Sequence, residues 1–176
     1  MAGHSHWKQI KLQKGSEDKK RSQLFSKLLA AITVAARTEP NPDFNPRLRG
    51  AIEKAREYSV PQNNIKKAIS NSAKDGALKD LLVEAYGKEG VAILIEAITN
   101  NKNRTMQAIR QILEKFDAKV AMPGSAHWAF TKNNDTWSPS FYTNTTTEAK
   151  ELIESLKDTL LNEEDIQNVI TNNTIT

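Results

Sequence analysis

Leu81-Leu-Val-Glu-Ala-Tyr-Gly-Lys-Glu-Gly-Val-Ala-Ile-Leu-Ile-Glu-Ala-Ile-Thr99 decides the fold. Two β-rich runs, 81–86 and 91–99, flank Gly87-Lys-Glu-Gly90. A short loop with glycine at each end between such runs predicts a β-hairpin. The second run, Val91-Ala-Ile-Leu-Ile-Glu-Ala-Ile98, is the most apolar strand candidate and predicts a central strand. Before about Gly76 the apolar period is helical; after it, strands and helices mix.

Upstream, Ser16 is read as the cap of a helix whose first turn carries Glu17 and Asp18, as the helix dipole prefers. Phe25, Leu28, Leu29, Ile32 and Ala36 recur at helical spacing, Arg37 closes the last turn, and Pro40 and Pro42 forbid continuation. Asn45-Pro46 reads as a cap with proline at the first helical position, and Leu48, Ala51, Ile52 and Ala55 form the buried stripe of a second helix. A third begins near Pro61 and buries Ile65, Ala68 and Ile69. Three amphipathic helices with short connections make a small bundle.

Downstream, Asn103 is read as opening a helix with Ile109, Ile112, Leu113 and Phe116 on one face. Short strands are expected over 119–122 and 126–130 around Gly124, a polar turn over 131–136, and another strand over 138–143. Thr147 is read as capping a helix that turns Leu152, Ile153, Leu156 and Leu160 inward, followed by a strand over 166–170. The Asn/Thr-rich end, 171–176, is expected to fray. The fold class is therefore α+β. A helical domain over 1–76 precedes an α+β domain over 77–176, in which two helices pack on a mainly antiparallel sheet.

The chain contains no cysteine, which excludes a disulfide framework, a thiolate metal site and a cysteine nucleophile, and suits a reducing cytoplasm. Its longest apolar run, 28–36, contains Thr33 and falls far short of the roughly 20 residues that span a bilayer. The basic start is interrupted by Glu17 and Asp18, unlike a secretory signal. A cytoplasmic protein without a membrane partner is expected. The net charge of +4 hides a division: residues 1–75 hold 15 Lys+Arg against 7 Asp+Glu, and residues 76–176 hold 10 against 14. The first part is the one suited to a polyanion.

Within the first 21 residues stand Lys8, Lys11, Lys14, Lys19, Lys20 and Arg21, with Trp7, His4 and His6. Lysines are mobile point charges for phosphates, and an indole stacks on a base or ribose. Arg47 and Arg49 lie about 100° to either side of Leu48 on the second helix. They either extend the basic face or serve as ordinary surface charge, with Glu53 at i+4 from Arg49. Lys66 and Lys67 carry the same alternatives. No cysteine or nearby carboxylate completes a metal set with His4 and His6, so no metal is assigned. Asn101, Asn103, Arg104 and Thr105 open a helix, where they either cap and brace it or attract an anion. There is no Gly-rich phosphate loop and no histidine with an evident carboxylate and hydroxyl partner. No enzyme, cofactor or small-molecule substrate is expected.

Several ordered blocks carry a family resemblance: Ala2-Gly-His-Ser-His-Trp7, Ile32-Thr-Val-Ala-Ala-Arg37, Asn45-Pro-Arg-Leu-Arg-Gly-Ala-Ile52 and Pro61-Gln-Asn-Asn-Ile65. Gly90-Val-Ala-Ile93, Asn100-Asn-Lys-Asn-Arg-Thr105 and Glu164-Asp-Ile-Gln-Asn-Val169 follow. In these the chain resembles the YebC/PmpR family. The resemblance implies a DNA-binding transcriptional regulator or, as in the family's mitochondrial relatives, a translational activator. The implied partner is duplex DNA, or ribosomal RNA in the ribosome. With the residue reading it gives the candidate set His4, Ser5, Trp7, Lys8, Lys11, Lys14, Lys19, Lys20, Arg21, Lys27, Arg47 and Arg49.

The chain departs from the family in having His6 where lysine is usual and Lys88-Glu89 where Pro-Gly is usual. The family also carries a ferredoxin-like module inserted into its second domain. Here a short turn near 131–137 is expected in its place. No recognition helix with evident base-reading side chains stands out, which favours reading of backbone or shape. A protein–protein adaptor working through the acidic α+β domain is the alternative from another class, and self-association is left open.

Overall fold

A helix continues until its sequence stops it, and nothing between Gly3 and Ala36 does. The computed structural model describes residues 3–74, 76–133 and 135–174, with side chains from Glu17 onward. The first element, α1, spans Gly3–Ala36. Ser16 therefore does not start a helix, and Glu17 and Asp18 lie within one. The stretch before them, with Lys8, Lys11, Lys14, Gln9, Gln13 and Leu12, is a good helix former, and Gly15 costs only about 1 kcal/mol in a helix interior. The chain divides into two units, Met1–Lys74 and Asp75–Thr176.

In the first unit α1 is followed by α2 (Pro46–Glu57) and α3 (Gln62–Asn71). Leu28, Ile32 and Ala36 of α1 bury against Leu48 and Ile52 of α2 and Ile65 of α3. Asn45 sets the corner between α1 and α2. Its Oδ1 accepts the Leu48 N–H at 3.0 Å, and its Nδ2 donates to the carbonyls of Ala35 at 2.8 Å and Glu39 at 2.7 Å. Pro46 occupies the first turn, where a missing N–H costs nothing.

The second unit is built on β1 (Lys79–Tyr86) and β2 (Ala92–Thr99), the expected hairpin, in antiparallel register from Lys79↔Thr99 to Tyr86↔Ala92. After α4 (Lys102–Lys115) come β3 (Lys119–Val120), the hairpin β4 (Phe130–Asn133) and β5 (Thr136–Pro139), α5 (Thr147–Leu161) and β6 (Ile166–Thr171). The four-stranded antiparallel sheet runs β3-β1-β2-β6, with β4 and β5 paired separately. This is an α+β fold. Ile93 and Ile95 face α4 and α5 through Ile109, Leu113, Ile153 and Leu156. On the opposite side Ala92 and Leu94 meet Ala126, Ala129 and Phe130. Burial on both faces accounts for the unbroken apolar run in β2.

The hairpin loop holds α5 in place. Glu89 has φ 57°, a conformation in which glycine is usual, and its carboxylate accepts the Thr146 N–H at 3.0 Å and hydroxyl at 2.7 Å. Thr146 is itself the α5 N-cap. At Gly87 a Cβ would come within 2.5 Å of Ile153 Cδ1, so the missing side chain lets α5 approach.

Several expected elements shift. Of the two candidate caps of α4, Asn101 and Asn103, it is Asn101 that caps it, and Thr146, not Thr147, caps α5. The strand expected over 119–122 is only Lys119–Val120, and that over 126–130 is instead a 3-10 turn, His127–Ala129, leading into β4. The expected polar turn over 131–136 is mostly paired strand. Asn133 opposes Thr136, and Asp135, at φ 64°, makes a tight reversal possible. The strand expected over 138–143 ends at Pro139. Of the end expected to fray, the described residues 171–174 are tied down through Asn172, which is fully buried. The Asn172 Oδ1 accepts the Ala92 N–H at 2.8 Å, and its Nδ2 donates to the Phe141 carbonyl and the Thr143 hydroxyl, each at 3.2 Å. No described helix is long and apolar enough to cross a membrane.

Candidate nucleic-acid interface

The cations that the structure describes in the first unit lie on surfaces left over after the core is made. Leu28 and Ile32 turn α1 inward, while Lys19, Lys20 and Arg21 are exposed ahead of them. The Arg21 guanidinium sits 5.3 Å from the Phe25 ring centroid, one helical turn on, which orients it without neutralising it. Lys27 is half-buried and engaged with its surroundings. The side chains of His4, Ser5, Trp7, Lys8, Lys11 and Lys14 lie outside the described residues.

On α2 the buried stripe Leu48, Ile52 and Ala55 leaves two flanks. Arg47 and Lys54 share one, and Arg49 and Arg56 share the other, each pair separated by two turns. All four are exposed. Arg49 donates from Nη1 to the Pro42 carbonyl at 3.2 Å, so it also braces the loop before α2. Lys54 and Arg56 were not singled out by sequence reasoning. Their i+7 relation to Arg47 and Arg49 is the signal that finds them. Lys66 and Lys67 are exposed on α3.

The polar cluster at the start of α4 is occupied internally. Asn101 Oδ1 accepts the Arg104 N–H at 3.1 Å, and Arg104 Nη2 grips both Asp165 carboxylate oxygens, at 3.1 and 2.9 Å. Thr105 donates its hydroxyl to Asp165 at 2.6 Å. These residues cap and brace, and Arg104 is not offered to an anion.

A second cluster escaped sequence reasoning because its partners are 40 or more residues apart. Glu84 on β1 is buried. It accepts the N–H groups of Gly124 and Ala126, each at 2.6 Å, and faces His127 Nδ1 at 2.8 Å. Burial alone would raise its pKa. The two backbone donors and the imidazole outweigh that and hold the carboxyl below its usual range. The cluster pins the loop that leads into β4. His127, which lacked a carboxylate in sequence, has one in space. The carboxylate is consumed by backbone donors, an arrangement suited to holding a loop.

A basic three-helix unit joined to an α+β unit matches known proteins along most of its length. The model described as TACO1/YebC protein N-terminal domain matches residues 5–75, and that described as TACO1/YebC second and third domain matches residues 78–134. The chain is 43% identical over 134 residues to a probable transcriptional regulatory protein of Petrotoga mobilis, covering 74% of this chain and 53% of that one. It is 46% identical over 136 residues to one of Methylacidiphilum infernorum, covering 75% and 55%. Among solved structures, the conserved hypothetical protein Aq1575 of Aquifex aeolicus superposes with a TM-score of 0.81 at 26% identity, covering 90% of this chain and 92% of that one. The chain belongs to the TACO1/YebC family. It spans about half the length of the curated relatives it matches.

Proposed function

We propose that the chain is a non-enzymatic, cytoplasmic regulator of gene expression that binds nucleic acid through its first unit. The observation that carries this is the division of charge. Residues 1–75 hold 15 Lys+Arg against 7 Asp+Glu, while the remainder is net acidic. The names of the relatives, probable transcriptional regulatory proteins, support the regulatory role. Lys19, Lys20, Arg21, Arg47 and Arg49 contact phosphates, with Lys8, Lys11, Lys14 and Lys27 extending the surface and His4, Ser5 and Trp7 at its leading edge. Phosphate contacts of this kind position a protein without reading sequence. The second unit, with the two-residue connection between β4 and β5, acts as a minimal form of the family's second domain.

The test sets two assays beside each other at physiological salt: gel shift on duplex DNA and co-sedimentation with ribosomes. Duplex binding alone assigns the chain to transcription, and ribosome association alone assigns it to translation. Binding to neither overturns the proposal.

A further inference from the structure

The acidic second unit carries a surface of a different kind. Trp128, Phe141 and Tyr142 are 55%, 60% and 61% exposed. Single exposed aromatics are ordinary, but Trp128 and Phe141 are arranged as a pair. The Trp128 and Phe141 ring centroids are 6.0 Å apart, with the planes inclined at 41°. The indole is fixed by its N–H, which donates to the Tyr86 hydroxyl at 3.0 Å, and that hydroxyl donates in turn to the Ser125 carbonyl at 2.6 Å. Phe141 is fixed through its backbone. Its N–H donates to the Ala129 carbonyl, and its own carbonyl accepts from the buried Asn172 side chain. The indole is therefore held in place, Phe141 is anchored at its backbone, and both rings face solvent.

The charges around them differ from the rest of the unit. Residues 118–147 contain Lys119, Lys132 and Asp135 as their only acidic or permanently basic side chains, whereas 148–165 hold seven carboxylates against two lysines. Lys119 stands opposite Tyr86 in the β1–β3 register, on the same side of the sheet. Lys132 pairs with Asp135 at 3.1 Å and lies 5.8 Å from the Trp137 ring centroid. Glu84, the nearby carboxylate, is buried and occupied by Gly124, Ala126 and His127. Trp128 and Phe141 thus sit on a segment poor in carboxylates within an otherwise acidic unit, whereas Tyr142 lines a separate pocket with Glu154 and Lys157.

We infer that Trp128 and Phe141 form a stacking platform for unpaired bases of RNA. An exposed aromatic pair with Lys119 on the same side of the sheet suits a polyanion whose bases are exposed, and it offers nothing to a duplex whose bases are already stacked. Unpaired bases flanked by structure are a property of RNA loops and bulges, where aromatic stacking is the usual mode of capture. This surface belongs to the second unit, whereas the basic helices proposed above belong to the first.

The test uses the full chain, with anisotropy of a labelled unstructured single-stranded RNA of about ten nucleotides, a length within the range such surfaces cover, and of a duplex DNA in parallel. A Trp128→Leu/Phe141→Leu variant keeps apolar bulk and removes the aromatic faces. It should weaken single-stranded RNA binding by about tenfold or more and leave duplex binding unchanged. A Trp128→Phe/Phe141→Tyr variant should restore RNA binding, which separates stacking from folding. Unchanged RNA binding by the leucine variant overturns the assignment, as does an equal loss on duplex DNA. So does a wild-type dimer, seen by sedimentation, that the leucine variant converts to monomer, since the face would then belong to a second copy.

Discussion

Replacing Glu84 with glutamine changes one atom in a buried site and should be costly. The carboxylate is 4% exposed and serves three donors: the Gly124 and Ala126 N–H groups, each at 2.6 Å, and His127 Nδ1 at 2.8 Å. An amide offers a single oxygen, and its NH₂ then points at a backbone N–H that needs an acceptor. The loss is one hydrogen bond to a charged group, about 1.5–3 kcal/mol, with a further penalty of about 1–3 kcal/mol for a buried donor left unpaired. Partial relaxation of the loop brings the expected total to about 2–4 kcal/mol, a large share of the 5–15 kcal/mol typical of a domain. For a unit of this size the melting point should fall by roughly 10–20 °C. Urea unfolding followed by tryptophan fluorescence reads it, because Trp128 and Trp137 both lie in this unit. A loss below about 0.5 kcal/mol, the size of an ordinary surface substitution, would show that Glu84 does not hold the loop.

Asn45→Ala removes a helix cap and two bonds to carbonyls, and should destabilise the first unit by about 2–3 kcal/mol, read as loss of helical circular dichroism at lower urea; an unchanged midpoint would refute the role of Asn45 at the corner. Asn172→Ala should cost a similar amount and speed hydrogen exchange at the Ala92 amide, whereas a frayed chain end would make the substitution silent. Glu84 and Glu89 are both held below the usual carboxylate range, Glu89 chiefly by the Thr146 backbone N–H. Their stabilisation is complete above the unfolded value of about 4.5 and is lost as pH falls through the lower folded values. The urea midpoint of the second unit should therefore drop below about pH 4.5, and more shallowly in a Glu84→Gln/Glu89→Gln variant. Equal acid sensitivity in that variant would place the effect elsewhere.

The parts of the fold legible in the sequence were those written in local pattern. Asn45-Pro46, the β1–β2 hairpin and the striped faces of α4 and α5 each declare themselves within a few residues. Elements set by distant partners were misread. β4 pairs with β5 although 131–136 reads as a polar turn, because Trp137 and Lys132 meet across the hairpin. Asn172 looks like part of a polar tail but is buried by bonds to Ala92, Phe141 and Thr143. The same holds for chemistry. The lysine-rich start is visible as composition, while the Glu84–His127 pair and the Trp128–Phe141 face exist only after folding. At Arg104 the sequence leaves bracing and anion binding as alternatives, and Asp165 beside it decides for bracing.

The salt dependence of nucleic-acid binding tests the central claim most directly. Each lysine that neutralises a phosphate on duplex DNA contributes about 0.9 to the slope of log K against log salt. Binding by the wild-type chain should weaken steeply with salt, and neutralising Lys8, Lys11, Lys14, Lys19 and Lys20 together should flatten that slope by several units and weaken binding at low salt. A variant that binds DNA, RNA and ribosomes as the wild type does, with the same slope, would contradict the account.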